Sequence, residues 1–220
     1  RSFLDWAADH GQAELGLRIC ALLRRYWLAL DRCAEGAGFV AGLLAVTGDL
    51  PVRLRARILV LYGELTLDLD GERVALERIT AGLRLAESVG DDAVRADALA
   101  ALASVALRSG DVSAGFAHAA EYLEAARRLD DRLLETHAME LHGQLADAAD
   151  DHEEARRWLS AALEAAEETG CGWHAARCHH GLGVLAIREG GYASAEEHLD
   201  RALALFTALR SSVEASRCLA

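Results

Sequence analysis

The hydrophobic and small positions of this 220-residue chain recur with a 40-residue period. Aligning the chain with itself at that offset preserves the chemistry of several positions without a gap, as expected of a repeat architecture. One column of small residues comprises Gly63, Ala103, Gly143 and Gly183. A second small column comprises Ala75, Gly115, Ala155 and Ala195. Two columns of larger apolar residues comprise Leu43, Leu83, Leu123, Leu163 and Leu203, and Leu65, Val105, Leu145 and Leu185.

Each repeat predicts two amphipathic helices that form a hairpin. In the last full repeat, segments 174–190 and 192–206 both carry apolar residues at helical spacing. Gly and Asp between such segments predict helix ends and N-caps. The small columns allow the two helices of a hairpin to approach closely, and a larger side chain there would overpack the contact. Because a single hairpin cannot bury its apolar face, we expect neighbouring hairpins to stabilise one another by stacking.

The repeat divides the chain into three parts. Residues 1–50 carry degenerate N-terminal helices and a first hairpin. Residues 51–211 carry four regular 40-residue repeats, and residues 212–220 begin a further or a capping helix. The helices of the first part are predicted near residues 3–9, 12–29 and 32–47. We therefore predict one all-α domain over residues 1–220, a right-handed superhelical solenoid of about five antiparallel helical hairpins with terminal helices.

Composition and charge favour helices and argue against several function classes. Hydrophobic residues make up 52% of the chain, aromatic residues 5%, and Pro51 is the only proline. The formal charge of −12 repels phosphate groups, so we expect no direct contact with nucleic acid or with an anionic membrane. No apolar run reaches the roughly 18 residues of a membrane span, and the first residues lack a signal-peptide pattern. Five scattered cysteines are typical of a reducing cytoplasm, where we expect the protein to reside.

The pattern of small and large residues resembles the tetratricopeptide consensus. The residues that carry it most clearly are Leu182, Gly183, Ala195, Leu199 and Ala202. The 40-residue period exceeds the family's usual length of about 34, which implies longer helices. The resemblance extends well over residues 54–212 and weakly over residues 12–50.

The opening segment supports a more specific resemblance. LDWAADHGQAELGLRICALLRRYW (residues 4–27), followed by GFVAGLLAV (residues 38–46), is similar to the start of the tetratricopeptide sensor region of large bacterial STAND ATPases. Those proteins are the LuxR-like and antibiotic-regulatory-protein-like transcriptional regulators of actinomycetes. The resemblance implies a domain that receives a signal and releases autoinhibition, and whose partners include other domains of the same longer chain. The sequence contains neither a Walker motif nor a DNA-reading helix-turn-helix.

The first helix of each hairpin is expected to line the concave side of the array, where a partner could bind. Four columns of these helices vary in chemistry while the packing columns do not, which is typical of a specificity surface on a constant scaffold. The candidate partner-binding residues are Arg57, Glu64, Asp97, Ser104, Arg108, His137, Glu140, Gln144, Arg177, His180 and Arg188. The arginines could bind carboxylates or phosphates of a partner. Alternatively, the columns are solvated helix faces whose charges satisfy one another across adjacent repeats.

One cluster of Cys and His residues has the ligand types that zinc prefers. Cys171, His174 and Cys178 share one helical face. The repeat argues against a metal site, because His174 and Cys178 occupy columns that are apolar in the other repeats. Acidic pairs such as Asp150 and Asp151 fall at helix starts, where they complement the helix dipole. We therefore predict no metal, no cofactor and no catalytic residues.

Three hypotheses for function follow from the sequence. The first is a non-enzymatic sensor or regulatory domain of a larger bacterial transcriptional regulator, which binds a protein, a peptide or a small inducer in the concave groove. The second is a stand-alone scaffold for protein–protein interaction. The third, an enzyme that uses the Cys/His cluster, has the least support because that cluster lies in packing columns.

Overall fold

The computed structural model of the chain describes residues 3–209 and 211–219, with the side chains of residues 212 and 213 excepted. All regular secondary structure within these residues is helical, which confirms the predicted all-α class. The two ends of the predicted domain span, residues 1–2 and residue 220, lie outside the described part. The chain divides into two compact units, unit 1 (Arg1–Leu102) and unit 2 (Ala103–Ala220), and the division falls within a helix.

Unit 1 is built from short helices followed by one long hairpin. Its helices are α1 (Phe3–Asp9), α2 (Ala13–Leu22), α3 (Arg24–Ala29), α4 (Cys33–Ala45), α5 (Val52–Leu65), α6 (Leu67–Asp70) and α7 (Glu72–Ser88). Helix α1 packs on α2 and α4, α4 packs on α5, and α5 packs along α7. The core between these helices is apolar and includes the fully buried side chains of Leu17, Leu43, Leu61 and Leu65.

Unit 2 contains regular hairpins of long helices. Helix α8 (Asp92–Ser109) contains the division between the units. The remaining helices are α9 (Val112–Arg128), α10 (Arg132–Ala148), α11 (His152–Glu168), α12 (Gly172–Arg188), α13 (Tyr192–Ala208) and α14 (Ser212–Arg217). Helices α10 and α11 pack as one hairpin and α12 and α13 as the next, while α10 and α11 also contact α12. These bounds follow the period found in the sequence.

The first predicted hairpin differs from the sequence-based expectation, because its first helix is interrupted. The sequence predicts one helix over residues 12–29, whereas α2 ends at Leu22 and α3 begins at Arg24. The indole N–H of Trp27 donates to the carbonyl oxygen of Cys20 at 3.2 Å. In a continuous helix that carbonyl would accept from the backbone N–H of Arg24. At the interruption, the indole N–H of Trp27 therefore bonds to the carbonyl oxygen of Cys20, the acceptor that a continuous helix would use for its backbone.

The helix ends between residues 86 and 191 share one backbone geometry, which recurs at every half-period of the repeat. A residue with positive φ ends each helix: Gly90, Gly110, Asp130, Asp150, Gly170 and Gly190. The next backbone N–H donates to an alanine carbonyl in the last turn of the helix, at 2.8–3.2 Å in every case. The accepting alanines are Ala86, Ala106, Ala126, Ala146, Ala166 and Ala186. This is the Schellman arrangement, which satisfies carbonyls that a helix end would leave unpaired.

The residue after each positive-φ position caps the following helix where it is aspartate. The side chains of Asp91, Asp111, Asp131 and Asp151 each accept hydrogen bonds from backbone N–H groups in the first turn of that helix. Cys171 occupies the same position before α12 and makes no side-chain cap. Its backbone angles, φ −83° and ψ 84°, are close to those of Asp151, φ −90° and ψ 76°. The acidic pairs at these turns therefore end one helix and begin the next.

The glycine column brings the two helices of a hairpin into direct contact. A Cβ at Gly63 would lie 2.6 Å from Cγ1 of Ile79, and one at Gly183 would lie 2.8 Å from Cγ of Leu199. A Cβ at Gly143 would lie 2.6 Å from Cγ of Leu159 and 3.2 Å from its backbone nitrogen. These separations are too short for carbon atoms in van der Waals contact. The close approach predicted for the small columns is thus present in both units.

Replacing Gly143 by Ala is expected to lower the free energy of unfolding by about 1–3 kcal/mol, because the new methyl group overpacks against Leu159. Urea denaturation followed by circular dichroism measures the change. The matched control is Gly38→Ala in α4, where no atom lies within 4 Å of an added Cβ. That control should gain about 0.5–1 kcal/mol from helix propensity. Equal effects at the two sites would contradict the close contact.

Replacing Cys171 by Asp is expected to raise the free energy of unfolding by about 1 kcal/mol, because the backbone already has the geometry of the capped positions. The same urea titration provides the measurement, and Cys171→Ala serves as the control with no capping oxygen. The expectation fails if the Asp and Ala variants have the same stability.

Candidate functional site

The candidate partner-binding residues lie on helices α5, α8, α10 and α12, as the repeat predicts, but they differ in exposure. Two of them, Arg108 and Arg188, are exposed, and Glu140 has no exposed surface. The others are partly buried: Arg57, Glu64, Asp97, Ser104, His137, Gln144, Arg177 and His180. The structure brings several of them together in two clusters, one in each unit, which are described separately.

In unit 1, a single arginine holds two of the candidate carboxylates. Nε and Nη2 of Arg24 donate to the two carboxylate oxygens of Glu64, both at 2.6 Å. Nη1 of Arg24 donates to Oδ1 of Asp97 at 3.2 Å. Charge-assisted, two-point binding of this kind is among the stronger polar contacts in proteins. Glu64 and Asp97 are therefore engaged within the chain.

Burial raises the pKa of Glu64 above its usual range. The charge of Arg24 and its hydrogen bonds act in the opposite direction, and the nearby carboxylate of Asp97 adds to the upward shift. The guanidinium of Arg24 is shared between two carboxylates, so its charge does not fully offset the upward pKa shift that burial causes at Glu64.

Arg24 is not among the candidate residues that periodicity predicts. It precedes Glu64 by one full repeat and lies in the same column, so the period itself could have identified it. It falls in the degenerate N-terminal part, directly after the interruption of the helix at Leu23.

In unit 2, the buried carboxylate of Glu140 is surrounded by donors. Nδ1 of His174 lies 2.9 Å from Oε2 of Glu140, and the amide of Gln144 donates to Oε1 at 2.8 Å. Nε of Arg177 donates to the same Oε1. Glu140 and Gln144 lie on α10, whereas His174 and Arg177 lie on α12. The carboxylate therefore joins the first helices of two consecutive hairpins.

Two aromatic side chains extend this cluster toward α9. The rings of His137 and His174 have centroids 5.3 Å apart. The hydroxyl of Tyr122 on α9 lies 3.2 Å from Nδ1 of His137, and its ring meets the imidazole edge-on. Three helices thus contribute to one polar network in the interior of unit 2. Buried polar groups that are hydrogen-bonded to one another favour a single arrangement of the helices.

The network holds the pKa of Glu140 at about 2, well below its ordinary value of 4.5. Burial alone would raise that pKa. The charge of Arg177, the hydrogen bond from His174 and the positive fields of His137 and His174 outweigh it. Because Glu140 is buried, it has no direct access to a partner, and its influence on the helix face acts through Arg177.

The remaining candidates of unit 2 lie along the first helices at different depths. Nη1 of Arg188 donates to Oδ1 of Asp147 at 3.0 Å, at a position where both side chains are partly exposed. Burial lowers the pKa of His180, and the positive charge of Arg217 acts in the same direction. His137, Gln144, Arg177 and His180 keep part of their surface accessible.

The Cys/His cluster has the burial that the repeat predicts. Cys178 and His174 are buried, and burial raises the pKa of the Cys178 thiol. His174 does more than fill space, because it binds Glu140. Nδ1 of His179 lies 2.9 Å from Nδ1 of His198, so one ring donates to the other. Among residues 3–209 and 211–219, no three or more His, Cys, Asp or Glu side chains are arranged to hold a metal ion.

Comparison with known proteins identifies the type of fold. Residues 135–208 match the model of the tetratricopeptide repeat. No curated protein matches the chain. The structure is similar to that of a Rap protein complexed with Competence and Sporulation Factor, with a TM-score of 0.79 and 16% sequence identity. That match covers 92% of this chain and 57% of the Rap protein, so this chain spans little more than half of that relative.

Two further solved structures are similar over most of this chain. PlcR of Bacillus thuringiensis, in complex with the peptide PapR7 and DNA, has a TM-score of 0.79 at 12% identity, over 92% of this chain and 73% of PlcR. A STAND protein of Pyrococcus horikoshii with a tetratricopeptide repeat sensor has a TM-score of 0.71 at 13% identity, over 95% of this chain and 33% of that protein. The fold is therefore an all-α, tetratricopeptide-like helical solenoid, as predicted. None of the helices in the described ranges is both long and apolar enough to cross a membrane.

Replacing Glu140 by Gln is expected to lower the free energy of unfolding at pH 7 by about 3 kcal/mol, because the partly buried guanidinium of Arg177 loses its counter-charge and the buried imidazole of His174 loses its carboxylate partner. The pKa of Glu140 is depressed in the folded chain, so its contribution is complete above pH 4.5 and is lost as the pH falls toward 2. The stability gap between the wild type and the variant should therefore shrink between pH 5 and pH 2.

Urea titrations at several pH values measure this gap. Glu164→Gln, on the exposed side of α11, is the control and should match the wild type throughout. A gap that stays constant down to pH 2 would show that the Glu140 charge does not stabilise the fold.

Proposed function

We propose that this chain is a non-enzymatic regulatory module that binds a protein or peptide through the accessible face of its first helices. In unit 2 that face comprises Ser104, Arg108, His137, Gln144, Arg177, His180 and Arg188. In unit 1 it comprises Arg57 with the Arg24-bound pair Glu64 and Asp97. The proposal keeps the predicted concave groove as the binding surface.

The contrast between constant and variable columns carries the proposal. Leu65, Val105, Leu145 and Leu185 are all buried and vary little in chemistry. On the same helices, the column of Arg57, Asp97, His137 and Arg177 stays partly accessible and changes from cation to anion to imidazole. Packing alone does not require that variation. A constant scaffold with a variable accessible face is the usual arrangement of a recognition surface in repeat proteins.

Complexes of structurally similar proteins support the class of partner. The Rap structure contains the Competence and Sporulation Factor, and the PlcR structure contains the peptide PapR7. At identities of 16% and 12%, the TM-score of 0.79 in both cases shows a shared fold alone, so a peptide partner for this chain belongs to the proposal. A small inducer, the other candidate ligand, has less support because neither complex offers a precedent for it.

The larger context that we propose is a bacterial regulator of the STAND type. The support is the resemblance of the segment 4–27 to the sensor regions of such proteins, together with the similarity to the sensor-bearing protein of Pyrococcus horikoshii. In that context the module would report ligand binding to other domains of the same chain in the cytoplasm.

Charge reversal on the first helices tests the proposal. Binders are selected from a random 12-residue peptide library, and their affinities are measured by fluorescence anisotropy. The double variant Arg108→Glu and Arg188→Glu should weaken binding by about tenfold or more, because two exposed cations of unit 2 become anions. Arg177 is unsuitable for this test, since its loss would leave Glu140 buried without a counter-charge.

The matched control is Arg128→Glu with Arg201→Glu, which changes the charge equally at exposed positions on the second helices α9 and α13. It should leave affinity unchanged, and circular dichroism should show equal helix content in both double variants. A library that yields no binder, or a control that weakens binding as much, would contradict the proposal.

A further inference from the structure

We propose that a cleft in unit 1, between α2 and the first turns of α5, binds an acidic peptide segment that also carries a large apolar side chain. The inference rests on the proposed peptide-binding function and names the chemistry of the ligand in unit 1. It is carried by the shape of the cleft, by its apolar wall and by two arginines that make no ion pair within the described part of the chain.

The cleft is large enough for several peptide residues. It has a volume of about 680 Å³, within the range of roughly 300–1,000 Å³ typical of ligand sites. One wall is the outer side of α2, the other is the start of α5, and one end is closed by the residue before α8. The charged residues of its lining are Arg18, Arg53, Arg57 and Asp91.

The walls present an unusual amount of exposed apolar surface. Leu15, Leu22 and Val52 are 44%, 78% and 45% exposed and all line the same cleft. Single exposed leucines are common on protein surfaces, but grouped ones are typical of binding sites. An apolar side chain of a partner would remove this surface from water, so the cleft favours a ligand with a large apolar residue.

The charges of the cleft favour an anionic ligand. Within the described part of the chain, neither Arg53 nor Arg57 makes an ion pair. Of the other charged residues in the walls, Arg18 is bound to Glu14 at 2.7 Å, and the Asp91 carboxylate caps α8 by accepting from the N–H of Val94 at 3.1 Å. Even with the charge of Asp91, cations therefore outnumber anions in the lining, in a chain whose formal charge is −12.

These two arginines can bind carboxylates in a defined way. Arg53 is exposed and Arg57 is half-buried, and they lie one turn apart on one side of α5. Guanidinium groups bind carboxylates through paired hydrogen bonds, and partial burial strengthens such contacts. Positive dipole charge at the start of α5 acts in the same direction. An aspartate or glutamate in the ligand, close to its apolar residue, satisfies both features of the cleft.

Nucleic acid fits the cleft less well than an acidic peptide. Two arginines provide few phosphate contacts, and the overall negative charge of the chain opposes a polyanion at longer range. A nucleic acid backbone also has no large aliphatic group for the surface of Leu15 and Leu22. The observations therefore favour the peptide.

A set of labelled 12-residue peptides tests the inference. One leucine and two or three glutamates are placed at varied positions in a Gly/Ser background, and parallel sets contain glutamine or lysine in place of glutamate. Binding to the full 220-residue chain is measured by fluorescence anisotropy at low ionic strength. At least one acidic peptide should bind about tenfold more tightly than its glutamine and lysine counterparts.

Variants locate the bound peptide. Arg53→Gln with Arg57→Gln should weaken binding about tenfold, and Leu15→Ser with Leu22→Ser should weaken it to a similar degree. Arg25→Gln with Arg84→Gln, which neutralises two exposed arginines of unit 1 outside the cleft, should leave it unchanged. Circular dichroism of every variant should match the wild type. Arg53→Gln alone, at an exposed position, provides a milder variant if the double change lowers helix content.

Several outcomes would overturn the inference. Equal affinities for acidic and glutamine peptides would show that charge does not select the ligand. Affinities that do not change when Arg53 and Arg57 are replaced would show that the peptide does not bind in the cleft. A 12-nucleotide single-stranded DNA that binds through these arginines, while no acidic peptide does, would identify a different ligand class. Peptides that depend only on Arg108 and Arg188 would overturn this inference and leave the proposed function intact. The proposed function itself fails if the random library also yields no binder, or if the second-helix control weakens binding as much as the first-helix variant.

Discussion

The close contact between the two helices of each hairpin is the constraint on which the rest of the structure depends. At Gly63, Gly143 and Gly183 the first helix has no side chain, and Ile79, Leu159 or Leu199 of the second helix fills the space. This contact fixes which side of the first helix faces its partner. The opposite columns are then turned away from the hairpin interior, where they can carry polar residues of any kind.

The first helices also carry buried charges, and the two units compensate them differently. In unit 1 the single guanidinium of Arg24 is shared by Glu64 and Asp97, and the pKa of Glu64 is raised. In unit 2 the single carboxylate of Glu140 faces an arginine and two imidazoles, and its pKa is lowered. Both arrangements join consecutive hairpins, so part of the variable face stabilises the array. This separates residues that hold the repeats together from those available to a ligand.

Much of the fold could be predicted from the 40-residue period, including the helical class, the hairpin turns and the small columns. The interruption at Leu23 could not, because it accompanies a contact of Trp27 with Cys20 that no local pattern encodes. Burial of Glu140 had a signal in its column mates Val60 and Ala100, which are apolar. From sequence alone, a carboxylate in such a column is still expected at the surface. Its partners His174 and Arg177 lie on the next hairpin and come close only because α12 packs on α10. The binding face and the cleft remain proposals, since periodicity identifies the accessible side of a helix but not the ligand that binds there.

The helix ends have a consequence for the fidelity of folding. Between residues 86 and 191 their geometry recurs at every half-period, so a positive-φ residue and a hydrogen bond to an alanine carbonyl end both first and second helices. These junctions therefore do not distinguish the first helix of a hairpin from the second. A chain that paired its helices one step out of register would keep nearly every one of these junctions and would exchange first and second helices. The glycine contacts and the paired charges would be lost, and they therefore discriminate against that misfolded register.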